Sequence, residues 1–261
     1  MNGKIEEPAY VYYTGENVDK ATINPHYVSV QRKLTERALE LIELDDTFPQ
    51  MILDVGCGTA CSGQIIEEKH MFVGVDIAPE MLMKAIQIVS PSTTPNSYTR
   101  VDVGQGCPFR AGVFDAAIGI DVLRWLFVSF DDREPAVKRL KNFFETLHGC
   151  LRNGAKAIFN FPDNREQAEL LNQIATRCGF GGGIRTDFPN SNKAKIHWLV
   201  LEVGGVSPDA AEDKFTSYGC VNVDSFKGYG GPKKKGFNRI EFIKKKKERR
   251  RLLGKKTAND S

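Results

Sequence analysis

The residues best suited to chemistry lie in a glycine-rich segment that follows the apolar run Met51–Val55. From Asp54 to Gly63 the sequence is DVGCGTACSG, with the spacing D-x-G-x-G-x-x-x-x-G. A strand that enters such a turn and then a helix presents backbone N–H groups, and glycine lets a ligand approach without meeting a Cβ. A dinucleotide fingerprint needs a third glycine where Cys61 stands, and a Walker phosphate loop needs Gly-Lys followed by Ser or Thr. Both of these nucleotide classes are therefore disfavoured.

Two aspartates after the next apolar runs complete a cofactor pattern. Asp76 stands 20 residues after Gly56, where a carboxylate can accept both hydroxyls of a ribose, and Asp102 stands where one can accept from the amino group of adenine. With the glycine turn, this pattern fits the class I S-adenosylmethionine-dependent methyltransferases, whose cofactor carries adenosine without phosphate. The alternative is that each carboxylate only caps a helix. The predicted cofactor is S-adenosylmethionine, and its predicted contacts are Asp54, Gly56, Cys57, Gly58, Ser62, Asp76, Ile77, Met81, Asp102, Val103 and Gly104.

Apolar periodicity predicts strands that alternate with helices around these residues. The expected strands are Met51–Val55, Met71–Asp76, Tyr98–Asp102, Phe114–Ile120, Ala155–Phe161 and Ile196–Val203. The expected helices are Pro25–Leu44, a segment ending near Lys69, Pro79–Val89, Pro135–Cys150 and Arg165–Arg177, whereas Gly179–Gly183 is expected to be a turn. This alternation predicts an α/β fold of the Rossmann-like class I methyltransferase type, with a mainly parallel seven-stranded sheet and helices on both faces.

The chain is expected to divide into three parts. Residues 1–48 form an N-terminal helical extension that covers the cofactor site, residues 49–205 form the methyltransferase domain, and residues 206–261 form an extension with a basic tail. The whole chain has a formal net charge of +3, yet 14 Lys and Arg against 3 Asp and Glu lie between Lys227 and Ser261. A tail of this charge favours a polyanion, and nucleic acid is the better candidate because no lipidation motif accompanies it. A solubilising tail or a nuclear import signal remains the alternative.

Several protein classes are disfavoured by composition. The N-terminus has no basic and apolar leader pattern, and no window has the roughly 18 apolar residues of a membrane span, so neither secretion nor membrane insertion is expected. The six cysteines are scattered without paired C-x-x-C spacing. We therefore expect reduced thiols in an intracellular protein, with neither a disulfide framework nor a metal site.

The chain resembles the eukaryotic 18S ribosomal RNA guanine-N7 methyltransferases, from about Pro8 into the tail. The resemblance is carried by the segments Arg37–Leu41, Asp54–Gly63, Asp102–Phe109, Arg139–Phe144, Pro162–Gln167, Gly179–Lys195 and the basic stretch KKKKERRRLLGKK. The chain departs from this family in three places, one of which is the absence of the family's closing Tyr-Thr-Gly-Arg-Lys-Arg. Ala60 and Cys61 replace a usual Gly-Leu, and Asp121–Leu126 reads DVLRWL where the family has Ser-Ala-x-Gln-Trp-Leu, which alters residues that face the base pocket.

The resemblance implies a reaction that needs no general base, because guanine N7 carries a free lone pair at neutral pH. Catalysis is then positioning and charge placement, and we expect no catalytic side chain. Methylation of exocyclic amines uses an Asn/Asp-Pro-Pro-Tyr/Phe element that Asp121–Arg124 does not match, and carbon-5 cytosine methylation needs a nucleophilic cysteine that Cys107 does not resemble. The predicted substrate contacts are Tyr13, Arg124, Trp125, Phe161 and Pro162, with a core role as the alternative for Trp125 and Phe161.

The resemblance also implies partners and a place of action. The expected substrate is ribosomal RNA in the pre-40S particle, and the expected subunit is a small zinc-binding methyltransferase activator that pairs with the sheet as a heterodimer. The apolar strands Met71–Val73 and Tyr98–Val101 lie near an expected sheet edge that needs cover. The nucleus, with its nucleolus, and the cytoplasm are the expected locations. Two rival functions stay open, namely an assembly factor whose catalysis is dispensable and a small-molecule methyltransferase.

Overall fold

The computed structural model describes residues 7–45, 47–88, 96–128, 135–162, 164–191 and 195–204. The described ranges contain seven strands, numbered along the chain, which supply the framework for the predicted site. They are β1 (Met51–Val55), β2 (Met71–Asp76), β3 (Ser97–Arg100), β4 (Phe114–Gly119), β5 (Leu151–Phe161), β6 (Phe180–Asp187) and β7 (Ile196–Val203).

All seven strands belong to one sheet with the order β3-β2-β1-β4-β5-β7-β6. The first five strands in this order are parallel, whereas β7 pairs antiparallel with both β5 and β6. The mainly parallel α/β sheet expected from the sequence is therefore confirmed. Because parallel strands end at the same edge, the residues that follow β1, β2, β4 and β5 converge there.

The helices cover both faces of this sheet. Helix α3 begins where Asn24 and Pro25 predict, since the Asn24 Oδ1 accepts from the backbone N–H groups of His26 and Tyr27. Within the described residues, no helix is long and apolar enough to cross a membrane. The helices are α1 (Ala9–Tyr12), α2 (Glu16–Ile23), α3 (Pro25–Ile42), α4 (Gly63–Ile66), α5 (Pro79–Ile88), α6 (Leu123–Leu126), α7 (Ala136–Cys150) and α8 (Arg165–Arg177).

Successive side chains of a strand point to opposite faces of the sheet, so the apolar core is divided into two clusters, one on each face. Ile52 faces the cluster that includes Leu34 and Ala38 of α3, whereas Leu53 faces the cluster that includes Leu140 of α7. Both strand residues are fully buried, as expected for a parallel strand that helices cover on both sides. The core thereby fixes β1 rigidly beneath the glycine-rich segment.

The expectation of a turn at Gly179–Gly183 is wrong, because Phe180–Asp187 is the edge strand β6. A Cβ on Gly182 would lie too close to the Val200 carbonyl oxygen, and Gly182 has a φ of 99°. Glycine is therefore required by the close approach of β6 to β7, not by a reversal of the chain. Smaller differences concern ends of elements. Helix α3 ends at Ile42 rather than Leu44, and α4 at Ile66 rather than near Lys69. Strand β3 ends at Arg100 rather than Asp102, β4 at Gly119 rather than Ile120, and β5 begins at Leu151 rather than Ala155.

The expected domain boundary at Gly205 and the tail 206–261 lie outside the described residues.

Candidate functional site

The glycine-rich segment forms a left-handed turn directly after β1. Gly56 has a φ of 70° and Gly58 a φ of 55°, a region that favours glycine. A Cβ on Gly56 would lie 2.7 Å from Val122 Cγ2, and one on Gly58 would lie 3.1 Å from Met81 Cε. Gly56 is therefore required by a close contact within the protein as well as by the turn, whereas the backbone conformation is the main requirement at Gly58.

The backbone amides of this turn are already used. The N–H groups of Gly56 and Cys57 both donate to the Val75 carbonyl, at 2.7 and 3.0 Å. The Gly58 N–H donates to Asp76 Oδ2 at 2.9 Å. These three amides do not form an open cradle for phosphate, which fits a cofactor that carries adenosine without phosphate.

Asp76 ends strand β2 and is held by the turn on either side of it. Its Oδ2 accepts from Gly58 N, and its Oδ1 accepts from Ala78 N at 2.8 Å. Each carboxylate oxygen accepts one of these bonds and has capacity for a second. Burial raises the pKa of Asp76, and the bonds from Ala78, Gly58 and Ile77 act in the opposite direction. The carboxylate is thus held in one orientation by the turn, and its role toward the ribose hydroxyls stays a prediction.

Asp54 lies underneath the turn. Its side chain is 1% exposed, and its Oδ2 accepts from Ser62 Oγ at 2.5 Å. Burial raises the pKa of Asp54 to about 7, the Ser62 bond lowers it, and the charge of Asp76 raises it. Asp54 and Ser62 therefore brace the glycine turn from within the protein.

This buried carboxyl predicts a specific pH dependence of stability. Aspartate in an unfolded chain ionises near pH 3.9, so between about pH 4 and 7 the folded protein keeps a proton that the unfolded chain has lost. Stability should fall as pH rises through this window. The side chain of Asp54→Asn stays neutral, so the decrease in stability caused by Asp54 should be absent in this variant. Melting temperatures measured between pH 4 and 7 test this.

Asp187 supplies a control of opposite sign. The hydrogen bonds from Arg37 lower the pKa of Asp187, so its contribution to stability is present above the unfolded pKa and is lost at lower pH. Asp187→Asn should leave the decline between pH 4 and 7 in place. Identical melting curves for wild type and Asp54→Asn at every pH would contradict the assignment.

Asp102 is placed at the same edge but already has a charged partner. Its carboxylate accepts from both terminal nitrogens of Arg139 on α7, at 3.0 and 2.8 Å, and its Oδ1 also accepts from Gly104 N at 3.0 Å. Gly104 is close-packed, since a Cβ there would lie within contact distance of the Arg139 guanidinium. The role of Asp102 toward adenine stays a prediction, and Arg139 is a neighbour that sequence reasoning missed.

The other predicted cofactor contacts surround these groups. Cys57, Ser62, Met81, Val103 and Gly104 are buried, whereas Ile77 is half-buried next to Asp76.

The N-terminal segment, here α1 and α2 with their connection, lies over the residues that follow β2. The Gly15 N–H donates to Glu80 Oε2 at 2.8 Å. Val18 and Ala21 on α2 form a buried cluster with Ala78 and Met81. The structure thus places this segment against the turn that carries Asp76.

Aromatic side chains gather where this segment meets α6. The ring centroids of Tyr12 and Tyr13 lie 5.5 and 5.4 Å from that of Trp125, and the Arg124 guanidinium lies 5.5 Å from the Trp125 ring. Burial raises the pKa of Tyr13 to about 12, with smaller effects from Arg124, Asp121 and Asp76. Tyr13, Arg124 and Trp125 are therefore brought together at the edge of the sheet where the residues after β1, β2, β4 and β5 converge.

Phe161 and Pro162 are placed differently from these three. Phe161 is 5% exposed and its ring stacks on His197 with centroids 5.6 Å apart, which agrees with a core position. Pro162 follows it at the exposed end of β5. Of the predicted substrate contacts, Phe161 therefore has the least surface to offer a base.

Three polar residues at this edge were not among the predicted contacts. Asp121 bonds to Gln31 of α3 and to Asn160 of β5. Asn160 carried a usable signal, because it is the only polar residue in the otherwise apolar stretch Ala157–Phe161. Gln31 carried none, since its partner is 90 residues away.

Metal ligands do not cluster in the part of the chain that the structure describes: no group of three or more His, Cys, Asp or Glu side chains is suited to hold an ion there.

Comparison with known proteins relates the chain to RNA methyltransferases. A family model described as a methyltransferase domain matches residues 52–146. The chain is 37% identical to the 18S rRNA (guanine-N(7))-methyltransferase of Mus musculus, over 97% of this chain and 92% of that protein. It is 35% identical to the 18S rRNA (guanine(1575)-N(7))-methyltransferase of Saccharomyces cerevisiae, over 97% of this chain and 93% of that protein.

Solved structures show the same fold at low sequence identity. The phosphoethanolamine N-methyltransferase 2 of Haemonchus contortus, in complex with S-adenosyl-L-methionine, gives a TM-score of 0.55 at 13% identity, over 73% of this chain and 57% of that one. An N-methyltransferase from Bradyrhizobium japonicum gives a TM-score of 0.51 at 16% identity, over 67% of this chain and 97% of that one. The seven-stranded sheet is thus a methyltransferase fold.

Proposed function

Since the chain belongs to the 18S rRNA (guanine-N7)-methyltransferase family, we propose that it transfers a methyl group from S-adenosylmethionine to N7 of a guanine in small-subunit ribosomal RNA. The observation that carries this proposal is similarity of 35–37% identity to enzymes of that name over 97% of the chain. The enzyme would act in 40S subunit biogenesis, in the nucleolus and the cytoplasm.

The cofactor would be held along the ends of β1, β2 and β3. The turn at Gly56–Gly58 supplies a close backbone surface, Asp76 supplies acceptors for the ribose hydroxyls, and Asp102 lies near the expected adenine. S-adenosylmethionine supplies a methyl group on a sulfonium centre, which a neutral nitrogen can attack directly. The donor set fits this cofactor, because the site offers carboxylate acceptors while the amides of Gly56, Cys57 and Gly58 are bonded within the protein.

The chain's own residues would act by binding and orientation. Guanine N7 has a free lone pair, so no side chain has to remove a proton before transfer. Trp125 and Tyr13 would hold the base by stacking, and Arg124 would face the RNA backbone. Catalysis then consists of placing N7 in line with the methyl group in a site from which water is excluded.

Asp76→Ala should weaken S-adenosylmethionine binding by about 1.5–3 kcal/mol, the scale of charge-assisted hydrogen bonds, or roughly 10- to 150-fold in Kd. The loss follows from removing the acceptors at the end of β2. Calorimetric titration measures it. Asp45→Ala, which alters an exposed carboxylate bonded to Thr47 N, should bind as wild type does. Unchanged affinity in Asp76→Ala would contradict the cofactor assignment.

Methylated-base mapping tests the proposed reaction directly. The full-length chain, purified together with the RNA that accompanies it, should convert one guanine of small-subunit rRNA to 7-methylguanine when S-adenosylmethionine is added. Chemical cleavage at 7-methylguanine, followed by primer extension, locates the base. Methylation of a small molecule but not of the RNA would favour the rival enzyme class.

We also propose a heterodimer with a small zinc-binding activator subunit. Strand β3 forms one edge of the sheet, and its Ser97, Thr99 and Arg100 are exposed. The edge strand is therefore more polar than expected. Apolar surface is supplied instead by helix α5, which packs on β2 and β3 and exposes Met83 and Ile86 by 62% and 63%. A partner that adds a strand to β3 and packs an apolar surface on α5 would cover both features.

Co-expression with such an activator should raise the melting temperature of the chain and its soluble yield, because the unpaired edge and the apolar face of α5 become buried. Ile86→Lys should abolish co-purification of the activator, since a charge then lies in the buried contact. Val113 is also apolar and 46% exposed, but it directly precedes β4 and is not part of β3 or α5. Val113→Lys should therefore leave co-purification intact. A chain that is equally stable and active alone would argue against this partner.

A further inference from the structure

The residue after strand β4 combines a strained backbone with a well-bonded carboxylate. Asp121 has a φ of 59°, in the left-handed region that aspartate and asparagine tolerate better than other residues with a Cβ. Strain of this kind persists only where the surroundings enforce it, and it is concentrated at functional sites.

The surroundings of Asp121 fix its carboxylate in one orientation. Its backbone N–H donates to Asn160 Oδ1 at 2.7 Å, and Asn160 Nδ2 donates back to Asp121 Oδ1 at 2.9 Å. Gln31 Nε2 donates to Asp121 Oδ2 at 3.0 Å. Each carboxylate oxygen thus takes one bond from the protein and keeps capacity for a second. Asp121 itself is half-buried, so a ligand at this edge can reach it.

Asp121 lies two residues before α6, the short helix that carries Trp125. Strand β4 lies between β1, which leads into the cofactor turn, and β5, which carries Asn160. Besides burial, the charges of Asp121 and Asp76 both raise the pKa of Tyr13, and the Tyr13 ring contacts Trp125. A base stacked on Trp125 therefore lies near Asp121, at the same edge of the sheet as Asp76.

We propose that Asp121 is a specificity-determining residue that accepts hydrogen bonds from the N1–H and the N2 amino group of the target guanine. The inference rests on the proposed function, because it assumes that guanine is the base methylated at N7. On its Watson–Crick edge, guanine places two donors side by side, and a carboxylate offers two adjacent acceptors. Adenine places an acceptor at N1, which a carboxylate repels.

The test compares two RNA substrates that differ only in the N2 amino group. An rRNA fragment carries guanine or inosine at the target position, and kcat/KM for N7 methylation is measured with the full chain and its activator. Wild type should prefer guanine by about ten- to one-hundred-fold, the range expected for loss of a paired hydrogen bond. Asp121→Asn tolerates the same left-handed turn but replaces one acceptor with a donor. It should methylate guanine more slowly and bring the ratio close to one.

Two further variants keep the outcome interpretable. Asp121→Gly, which adopts the left-handed turn without strain, should also lose the preference, because it removes the paired acceptors. Asp115→Asn, which alters the aspartate near the opposite end of β4 that accepts from Met51 N, should keep the wild-type ratio. The ratio is taken within one preparation of protein, so a partial loss of folded enzyme cancels.

The results separate this inference from the proposed function. Retention of the wild-type guanine preference in Asp121→Asn, or equal methylation of guanine and inosine by wild type, would overturn the role of Asp121 and leave guanine-N7 transfer standing. Failure of wild type to methylate the guanine RNA at all would overturn the proposed function and this inference with it.

Discussion

Gly56→Glu is expected to abolish S-adenosylmethionine binding, the largest effect of any single substitution in this site. The new Cβ would lie 2.7 Å from Val122 Cγ2, and the backbone would have to keep a φ of 70° that glutamate adopts only with strain. The added carboxylate would also lie near Asp54 and Asp76, both of which are already disfavoured in their charged form by burial. Calorimetric titration should show no detectable heat of binding.

A second glycine offers a matched control for this change. Gly112 has a φ of 65° like Gly56, but a Cβ there would meet nothing within 4 Å. Gly112→Glu therefore carries a similar backbone strain and the same added charge away from the site, and it should bind the cofactor normally. If both variants lose binding, the cause is general destabilisation. If neither does, the cofactor lies elsewhere.

Removal of the basic tail is expected to cause the second large loss, this time in RNA affinity. Ending the chain at Gly228 deletes 13 of the 14 Lys and Arg between Lys227 and Ser261. Every phosphate that the tail no longer neutralises should make the negative slope of log affinity against log salt shallower by about 0.7–0.9. Affinity at low salt should fall on the order of a hundredfold or more. Filter binding at several salt concentrations measures both, while calorimetry should show unchanged cofactor affinity.

Two variants separate charge from length and from base recognition. Replacing Lys244–Lys247 and Arg249–Arg251 with glutamine keeps the tail length but should reproduce most of the loss. Trp125→Ala should leave the salt slope alone and slow methyl transfer, because a missing stacking face costs roughly 1–3 kcal/mol in base positioning. An unchanged salt slope after truncation would assign the tail to nuclear import or spacing and move the RNA surface to the folded domain.

The strands were predictable from sequence where burial alone decides them. Runs such as Met51–Val55 and Phe114–Ile120 are mostly apolar because helices cover both faces of a parallel sheet. Their composition alone therefore indicates that they are central strands. Strand β6 was not predictable in this way. Its glycines have weak strand propensity, and it exists because it pairs along its length with β7, a contact that local sequence does not encode.

The same division holds for the candidate site. Gly56, Gly58 and Asp76 were found from spacing, since a short distance along the chain carries the pattern and parallel strand ends meet at one edge. The partners that restrain this edge were not found, because they come from far away in sequence. Arg139 reaches Asp102 across 37 residues, and Asn160 reaches Asp121 across 39. Such pairs depend on which helix and which strand become neighbours.

The N-terminal segment has a kinetic consequence. Through Val18 and Ala21 it packs beside the cofactor turn, and through Tyr13 it packs on Trp125, so a single movement of this segment would uncover both places. If the N-terminal segment closes over both the cofactor and the RNA base, the binding of each ligand affects the affinity for the other by the same factor. Saturating RNA should therefore lengthen the residence time of the bound cofactor. Turnover would then be ordered, with the demethylated cofactor leaving only after the methylated RNA has gone.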